Sequence, residues 1–391
     1  MFRQMARSIS SAMATSVRSL TRPRGITVPA VGQHIAALDG IRGAAILLVI
    51  VHHLARSVEF EFNIIHPLLR GAAFGWVGVE LFFVLSGFLI TGILYDSKAS
   101  RHFLRNFHMR RVLRIFPLYY GTLLFVLLLR AVWPEAGVYG SENPAWMWAY
   151  LTNIVIARKG LGVFGLVDHF WYLAIEQHFY LVWPLAVLLL NRRRLMQLAG
   201  GLFVLSLGLR VALILGGTGP DAVYVLTPLR LDALCLGSIL ALVLRRPEGV
   251  PNLVKPAWLA GGASMMGILA IVIVRHTAYH AEPVMQTLGY SLLAVFFGAM
   301  IILSLTTSLQ RVFDVGILRW LGKYSYGIYI WHPIIFILIL HTDLARAIRG
   351  SSGMVEMVVS VALALGVMLA VALLSWHLWE SQFLKLKRHF K

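Results

Sequence analysis

The sequence predicts an all-α, polytopic membrane protein with about ten transmembrane helices, and its composition and hydropathy pattern support that fold class. The 391-residue chain is 59% hydrophobic and only 13% charged, with a mean hydropathy of +0.76. A bilayer-spanning helix needs about 20 mainly apolar residues. Ten apolar stretches follow one another, at residues 38–55, 72–95, 115–132, 170–190, 195–215, 225–244, 257–274, 284–305, 325–341 and 354–378. A water-soluble globular domain is therefore disfavoured.

The basic residues alternate along the chain as the positive-inside rule requires. With the N-terminus inside, the six inner segments hold 24 Lys and Arg residues and the five outer segments hold seven. The remaining four are arginines within spans: Arg42, Arg130, Arg210 and Arg230. Both termini are therefore predicted to be cytoplasmic, and cytoplasmic loops account for the net charge of +18 without nucleic acid as a partner.

One membrane domain is predicted at residues 35–380, between a basic cytoplasmic arm at 1–34 and a basic cytoplasmic tail at 381–391. The first residues carry arginines without any acid or long apolar core, so they do not match a cleavable secretory signal. An apolar stretch at 146–156 is too short to cross and is predicted to lie in the interface or to re-enter. The single cysteine, Cys235, excludes an internal disulfide.

The first span carries ionisable residues on one face. Arg42 and His53 are eleven residues apart, so on a helix they lie on one face, about 16 Å apart along the axis. Asp39 falls on nearly the same stripe. Ionisable groups within hydrocarbon are costly unless they are paired or hydrated. The pair therefore either lines one pore or anchors the helix at the two interfaces, and one helix alone leaves both readings open.

The second span contains a carboxylate, Glu80, with no charged neighbour in its own span. His53 is a candidate partner from another helix, because a carboxylate that orients an imidazole is a common way to make a general base. A structural ion pair or a protonated carboxyl group is the alternative. Ser86 and Gly87 are predicted to permit close helix packing rather than to supply a nucleophile.

The third group of charges lies in the inner loop before the third span. On a helix, Arg110, Arg111 and Arg114 place two guanidinium groups on one face. Planar guanidinium groups suit phosphate, so the partner is either a phosphorylated cofactor or anionic lipid headgroups, with charge alone favouring the lipid. The sequence contains no nucleotide-binding loop, no nucleophile elbow and no convincing metal-ligand spacing.

Later spans add further ionisable residues. Glu176 and His178 point to different faces of one helix, and Arg230 and Asp232 are too close in sequence to face each other. The aromatic side chains within residues 323–333 are typical of the aromatic belt at a membrane–water interface. His332 lies in the middle of its span, which a belt does not explain.

Five ordered motifs resemble those of the acyltransferase 3 family of integral-membrane O-acyltransferases, over about residues 38–380. The motifs are LDGIRG with the Arg-x10-His pair of Arg42 and His53, GVELFFVLSGFL with Glu80, the Arg-x-x-Arg of Arg111 and Arg114, WYLAIEQHFYLVWP with Glu176, and YSYGIY with Tyr329, followed by His332. Where many members carry a second acid and a glutamine after the position of Glu176, this chain has Gln177 and His178.

The resemblance implies an acyl-CoA donor, chiefly acetyl-CoA, with no permanently bound cofactor and no metal. Arg111, Arg114 and Arg42 are expected to hold the phosphates of the donor. The thioester is expected to reach His53, which is oriented by Glu80 and acts as a general base or carries the acyl group. Four further residues are expected to bind substrate or to support the structure: Asp39, Glu176, Tyr329 and His332.

The resemblance also implies an acceptor and a location. The acceptor is expected to be a hydroxyl of a saccharide or glycolipid at the outer side of the cytoplasmic (inner) membrane, and homo-oligomerisation stays open. A transporter or flippase for a saccharide is the alternative, with the charges inside the spans acting as a relay. Inverted repeats would favour transport, and the sequence shows none.

Overall fold

A computed structural model of the chain describes residues 35–62, 71–134, 138–246, 252–341 and 354–390. The described residues form helices and turns, without any β-strand beyond one isolated bridge between Tyr139 and Gly165. The all-α prediction is therefore confirmed. The predicted basic arm at residues 1–34 lies outside the described residues.

Ten apolar helices within the described residues correspond to the ten predicted spans. In chain order they are α1 (Ala36–Phe62), α2 (Val77–Asp96), α3 (Phe103–Val132), α4 (Trp171–Leu189), α5 (Arg192–Leu215), α6 (Leu231–Val243), α7 (Val254–Arg275), α8 (Tyr290–Thr306), α9 (Gly316–Phe336) and α10 (Met354–Ser375). Nine of the described helices are long and apolar enough to cross a membrane. The prediction of a polytopic membrane protein is confirmed.

Two helices differ from the predicted spans. The helix α3 begins at Phe103 rather than near 115, so the three arginines of the inner loop lie on the same 30-residue helix as the apolar span. The helix α6 has only 13 residues, or about 20 Å, because Pro220 and Pro228 restrict residues 220–229 to two short helical segments. The predicted sixth span at 225–244 is therefore shorter than a bilayer core of about 30 Å.

The apolar stretch at 146–156 does not form a long helix. It divides into the short helices Ala145–Trp148 and Thr152–Lys159, which are separated by Tyr150 in a left-handed conformation with a φ of 56°. The prediction that this stretch is too short to cross is confirmed.

Side-chain contacts bring the predicted inner ends of several helices to one face of the bundle. The Arg245 guanidinium, just after α6, donates to both carboxylate oxygens of Asp96 at the end of α2, at 2.7 and 2.8 Å. The Lys98 ammonium donates to the Leu190 carbonyl at the end of α4, at 2.7 Å. The ends of α2, α4 and α6 therefore share a face, as the alternation of basic residues requires.

Glycines allow two helix pairs to pack backbone against backbone. A Cβ atom on Gly43 of α1 would lie 1.9 Å from the Leu318 carbonyl oxygen of α9, and one on Gly322 of α9 would lie 1.9 Å from the Asp39 carbonyl oxygen. Gly87 of α2 approaches the backbone of α6 in the same way. The prediction that Gly87 permits close helix packing is confirmed, and the helices α1 and α9 cannot separate or slide without losing these contacts.

Candidate active site

An open cavity lies between α1, α2, α3, α4 and α9, with about 690 Å³ of empty space including its mouth. Five of the nine predicted site residues line it: Arg42, Arg111, Arg114, Glu176 and Tyr329. The remaining lining residues are Phe82, Leu85, Ser86, Leu89, Ile90, Ile115, Tyr172, Leu173, Tyr180, Ser325 and Tyr326. The fold therefore gathers residues that are far apart in the sequence into one site.

One end of the cavity is strongly cationic. The guanidinium of Arg111 lies over the rings of Phe107 and Tyr180, with its central carbon 5.6 and 5.7 Å from their centroids. Arg114 is close enough to repel both Arg111 and Arg42 electrostatically. Within the part of the chain that the structure describes, Arg111 and Arg114 form no salt bridge, and the Nε of Arg111 is buried without a hydrogen-bond partner. This end of the cavity is suited to an anion.

The two acidic residues predicted near the cavity have separate partners. Asp39 accepts a hydrogen bond from Arg42 at 2.9 Å, as their common stripe on α1 predicted. The Glu176 carboxylate accepts hydrogen bonds from the Ser86 hydroxyl and, at 2.8 Å, from the Tyr172 hydroxyl. These bonds hold the Glu176 side chain in place in the wall of the cavity.

His178 lies apart from this carboxylate. Its Nδ1 is 2.8 Å from the Thr227 hydroxyl, so Glu176 and His178 face different neighbours, as predicted.

A cluster of imidazoles lies next to the cavity. The ring centroid of His53 is 4.9 Å from that of His332 and 5.1 Å from that of His52. The ring of His169 is 5.7 Å from that of His332. The residues His53, His332 and His169 are called the imidazole cluster below. The sequence alone does not single out His169, because a histidine at the start of a span resembles an interface residue.

Tyr329 connects the cavity with the imidazole cluster. Its side chain lines the cavity, and its ring centroid is 5.4 Å from that of His169 and 5.7 Å from that of His332. The Tyr329 hydroxyl donates to the His169 carbonyl at 2.7 Å, which holds the ring in place. Tyr329 is therefore a shared neighbour of the cavity and of the imidazole cluster, whose rings do not themselves line the cavity.

Glu80 is not the partner of His53. Its Oε1 accepts a hydrogen bond from Nη2 of Arg230, and both side chains are buried. Its Oε2 is buried and has no hydrogen-bond partner among the described residues. The Arg230 guanidinium also lies over the Tyr290 ring, at 4.2 Å. The expected pairing of Glu80 with His53 is therefore wrong. The Glu80 carboxylate pairs instead with Arg230, just before α6, so the structure shows the structural ion pair that was the alternative.

A second buried ion pair links neighbouring helices. Arg210 of α5 donates to the Asp232 carboxylate of α6 and to the Ser291 hydroxyl of α8, both at 2.6 Å. Arg230 and Asp232 therefore have different partners, as their sequence spacing predicted.

A further histidine lies in the loop between α7 and α8. The ring of His280 stacks on that of Tyr224 at 4.4 Å. Burial, and secondarily His52 and Arg230, lowers the pKa of His280 to about 3. His280 is therefore neutral at pH 7.

The C-terminal segment brings one more basic residue to the arginines. The helix Ser381–Lys385 and the turn Leu386–His389 pack against α3. The Arg105 guanidinium lies over the Phe390 ring at 5.6 Å. Lys387 is half-buried and close enough to feel the charges of four arginines: Arg42, Arg110, Arg111 and Arg114. In the sequence, residues 381–391 are recognisable only as a basic tail, and no pattern in them predicts that the segment folds back onto α3.

The described residues contain no group of His, Cys, Asp and Glu side chains arranged to hold a metal ion. The fold and the site define a class: a multi-pass helical membrane protein whose cation-rich cavity adjoins buried imidazoles. A family model for an acyltransferase domain matches residues 35–377, and the chain belongs to this acyltransferase family. The identification made from the five sequence motifs is confirmed.

The similar proteins include a peptidoglycan O-acetyltransferase. Peptidoglycan O-acetyltransferase OatA of Listeria monocytogenes is 30% identical over 324 residues, which are 78% of this chain and 50% of the relative. YrhL of Bacillus subtilis, provisionally named a peptidoglycan O-acetyltransferase, is 30% identical over 331 residues, which are 78% of this chain and 49% of the relative. The chain spans about half the length of the curated relatives it matches. No solved structure shows significant similarity to it.

Proposed function

We propose that the protein is a membrane-embedded O-acyltransferase that moves an acyl group, chiefly acetyl, from cytoplasmic acyl-CoA to a hydroxyl of a saccharide or glycoconjugate. The observation that carries this proposal is the meeting of three guanidinium groups in a cavity that adjoins the imidazole cluster. The acyltransferase family of the chain and the names of its relatives support the reaction type.

The cationic end is the proposed site for the phosphates of the donor. Coenzyme A carries a diphosphate and a further phosphate, and guanidinium forks bind phosphate oxygens in pairs. Arg111 and Arg114 form no salt bridge within the described residues, so an incoming anion does not have to displace a carboxylate from them. Arg42, although bonded to Asp39, adds a third positive charge.

The imidazole cluster is the proposed place of acyl transfer. Arg42 and His53 lie on the same helix, about 16 Å apart along its axis, a distance that the pantetheine arm of the donor can cover. Phosphates held at the arginines would thus leave the thioester near His53, which supplies the proximity that acyl transfer needs. There the acceptor oxygen attacks the acyl carbonyl carbon, the C–S bond breaks and coenzyme A leaves as a thiolate.

His53 has two chemical roles open to it in this proposal. It either removes the proton from the acceptor hydroxyl or first takes the acyl group onto a ring nitrogen. A saccharide acceptor is proposed because the Listeria relative is named for O-acetylation of peptidoglycan. The proposed location is the cytoplasmic (inner) membrane, with the donor on the cytoplasmic side and the acceptor on the outer side.

The test of this proposal is transfer of labelled acetyl groups from acetyl-CoA to a glycan in membrane vesicles. The unaltered protein should label the glycan. Arg111→Ala combined with Arg114→Ala should raise the KM for acetyl-CoA about tenfold or more, with a smaller effect on the KM for the acceptor. Each lost hydrogen bond to a charged group costs about 1.5 to 3 kcal/mol.

The matched control is Arg101→Ala, which removes an exposed cation that does not line the cavity. Its KM for acetyl-CoA should stay at the value of the unaltered protein. An unchanged KM in the double variant would assign the arginines to lipid headgroups. Label that stays on coenzyme A while the glycan still crosses the vesicle membrane would indicate transport instead of transfer.

A further inference from the structure

One ring nitrogen of His332 is buried without a hydrogen-bond partner. Nδ1 of this ring lies 3.1 and 2.9 Å from the backbone carbonyl oxygens of Ile328 and Tyr329. Carbonyl oxygens only accept hydrogen bonds, so Nδ1 carries the proton and, in the neutral ring, Nε2 carries the lone pair. Among the described residues, nothing donates to this Nε2. The backbone thus holds one tautomer, and a free base points away from it.

An unsatisfied buried acceptor needs an explanation. Leaving such a group without a partner costs about 1 to 3 kcal/mol, and native structures contain few of them. The side chain of His332 is fully buried. Its Nδ1 is hydrogen-bonded and its Nε2 has no hydrogen-bond partner among the described residues, an arrangement that suits a base that accepts a proton from a substrate.

The neighbours of His332 place this base in the reaction site. Its ring is 4.9 Å from that of His53, and the ring contacts of His332 also include His169, Tyr329 and Phe336. The Tyr329 hydroxyl is already engaged with the His169 carbonyl. Within the described residues, no carboxylate bonds to the ring of His53 or to that of His332. The proton acceptors nearest to His53 are therefore other imidazoles.

Helix packing fixes the spacing of the two rings. His53 lies on α1 and His332 on α9, and the Gly43 and Gly322 contacts press the backbones of these helices together. A base must be held close to its reacting atom in order to act. The distance between the rings of His53 and His332 is therefore constrained by the backbone contact between α1 and α9.

We propose that His332 is a catalytic base of the acyl transfer, with Nε2 accepting the proton of the acceptor hydroxyl. This inference rests on the proposed function and adds to it the residue that activates the acceptor. As the hydroxyl oxygen forms its bond to the acyl carbon, its proton moves to Nε2 of His332. The C–S bond then breaks with its electron pair on sulfur, and the imidazolium returns the proton to the thiolate or to water.

The assignment also resolves a difficulty in the covalent route. If His53 first takes the acyl group, the second step breaks the C–N bond, and the electron pair returns to the ring of His53. The acylated nitrogen of His53 cannot serve as the base in that step. A second base is then needed, and His332 is the member of the imidazole cluster whose ring contacts that of His53, at 4.9 Å.

The decisive variant is His332→Asn. The asparagine amide can still donate to the carbonyl oxygens of Ile328 and Tyr329, as Nδ1 does, but nothing replaces Nε2. Transfer of the acetyl group from acetyl-CoA to a glycan should fall about 10²-fold to 10⁴-fold in kcat, while the KM for acetyl-CoA stays within about twofold. Hydroxylamine, which attacks thioesters near neutral pH without a base, should still be acetylated at close to the unaltered rate.

The controls separate a base from a structural residue. His108→Gln alters a histidine whose Nδ1 bonds to the carbonyl of Leu104, at 2.8 Å, in the same helical geometry. It should leave both reactions unchanged. His332→Ala removes the ring without introducing an amide, and both acetylation reactions are measured again with this variant. Its elution in size-exclusion chromatography is compared with that of the unaltered protein to show whether it is folded.

Two outcomes would overturn the inference while the proposed function stands. One is a rate of glycan acetylation in His332→Asn equal to that of the unaltered protein. The other is an equal loss of glycan and hydroxylamine acetylation in a variant that elutes as folded protein, which would assign a structural role. Absence of any acetyl transfer by the unaltered protein would instead overturn the proposed function itself.

Discussion

At the scale of residues, Glu80 shows what a sequence can and cannot establish. A lone carboxylate in an apolar span predicts that a partner comes from another helix. His53 was the candidate partner in the sequence, and which residue actually pairs with Glu80 depends on how α2, α1 and α6 are placed in space. The structure pairs Glu80 with Arg230, whose guanidinium also stacks on aromatic rings. Glu80 therefore supports the bundle.

This role predicts a large loss of stability in Glu80→Ala. The substitution leaves the Arg230 guanidinium buried without a counter-charge, which costs about 3 to 5 kcal/mol. Thermal unfolding of the detergent-solubilised protein measures the effect. The control is Asp314→Ala, since Asp314 and Arg319 form an ion pair that is 44% and 47% exposed and contributes about 1 kcal/mol or less. Equal melting temperatures for Glu80→Ala and the unaltered protein would contradict the structural role.

Within single helices, periodicity predicted residue relations correctly. The shared stripe of Asp39 and Arg42 and the separate faces of Glu176 and His178 follow from 3.6 residues per turn. Periodicity within one helix does not predict which residues of different helices are in contact. The meeting of Arg42, Arg111 and Tyr329 in one cavity was implied only by the family motifs, because no local pattern relates residues about 300 positions apart.

At the scale of elements, hydropathy located all ten apolar helices but misjudged two of their lengths. A hydropathy window detects apolar residues, so it missed the charged first three turns of α3, which are helical all the same. The predicted sixth span also included Pro228, which lies in a short turn before α6 begins. Helix ends depend on local backbone restrictions that an average over many residues does not resolve.

The C-terminal segment yields a prediction of its own. Lys387 faces the arginines of the cavity, so Lys387→Ala should raise the KM for acetyl-CoA about fivefold, the equivalent of about 1 kcal/mol. The increase should shrink at high ionic strength because salt screens exposed charges. Steady-state kinetics at two salt concentrations measure it.

The comparison for this measurement is Lys385→Ala. Lys385 is exposed, and its ammonium donates to Gln382 of the same helix. We expect its KM to equal that of the unaltered protein. If Lys387→Ala behaves in the same way, the segment does not contribute to donor binding.

At the scale of the whole molecule, the membrane orientation stays a prediction that the fold makes testable. The structure groups the ends of α2, α4 and α6 on one face, and the C-terminal segment packs on α3, which begins near that face. The distribution of basic residues assigns this face to the cytoplasm.

Cysteine labelling in cells tests the orientation. The only native cysteine, Cys235, is buried, so an introduced cysteine gives the signal. Ser100→Cys, between α2 and α3, should react with a membrane-impermeant maleimide only after permeabilisation. Ser141→Cys, between α3 and α4, should react in intact cells. The reverse pattern would invert the topology and place the cationic end of the cavity on the wrong side for cytosolic acyl-CoA.

The backbone contact between α1 and α9 also restricts how the site can open. The helices α1 and α9, which contact each other through glycines, are expected to move as one rigid unit. The helices α2 and α6, which also pack through glycines, form a second rigid unit. Neither pair of helices can separate without losing these backbone contacts. We therefore expect any opening of the cavity to come from α3 and the C-terminal segment, whose contacts, such as that of Arg105 with Phe390, are made by long side chains that can change rotamer.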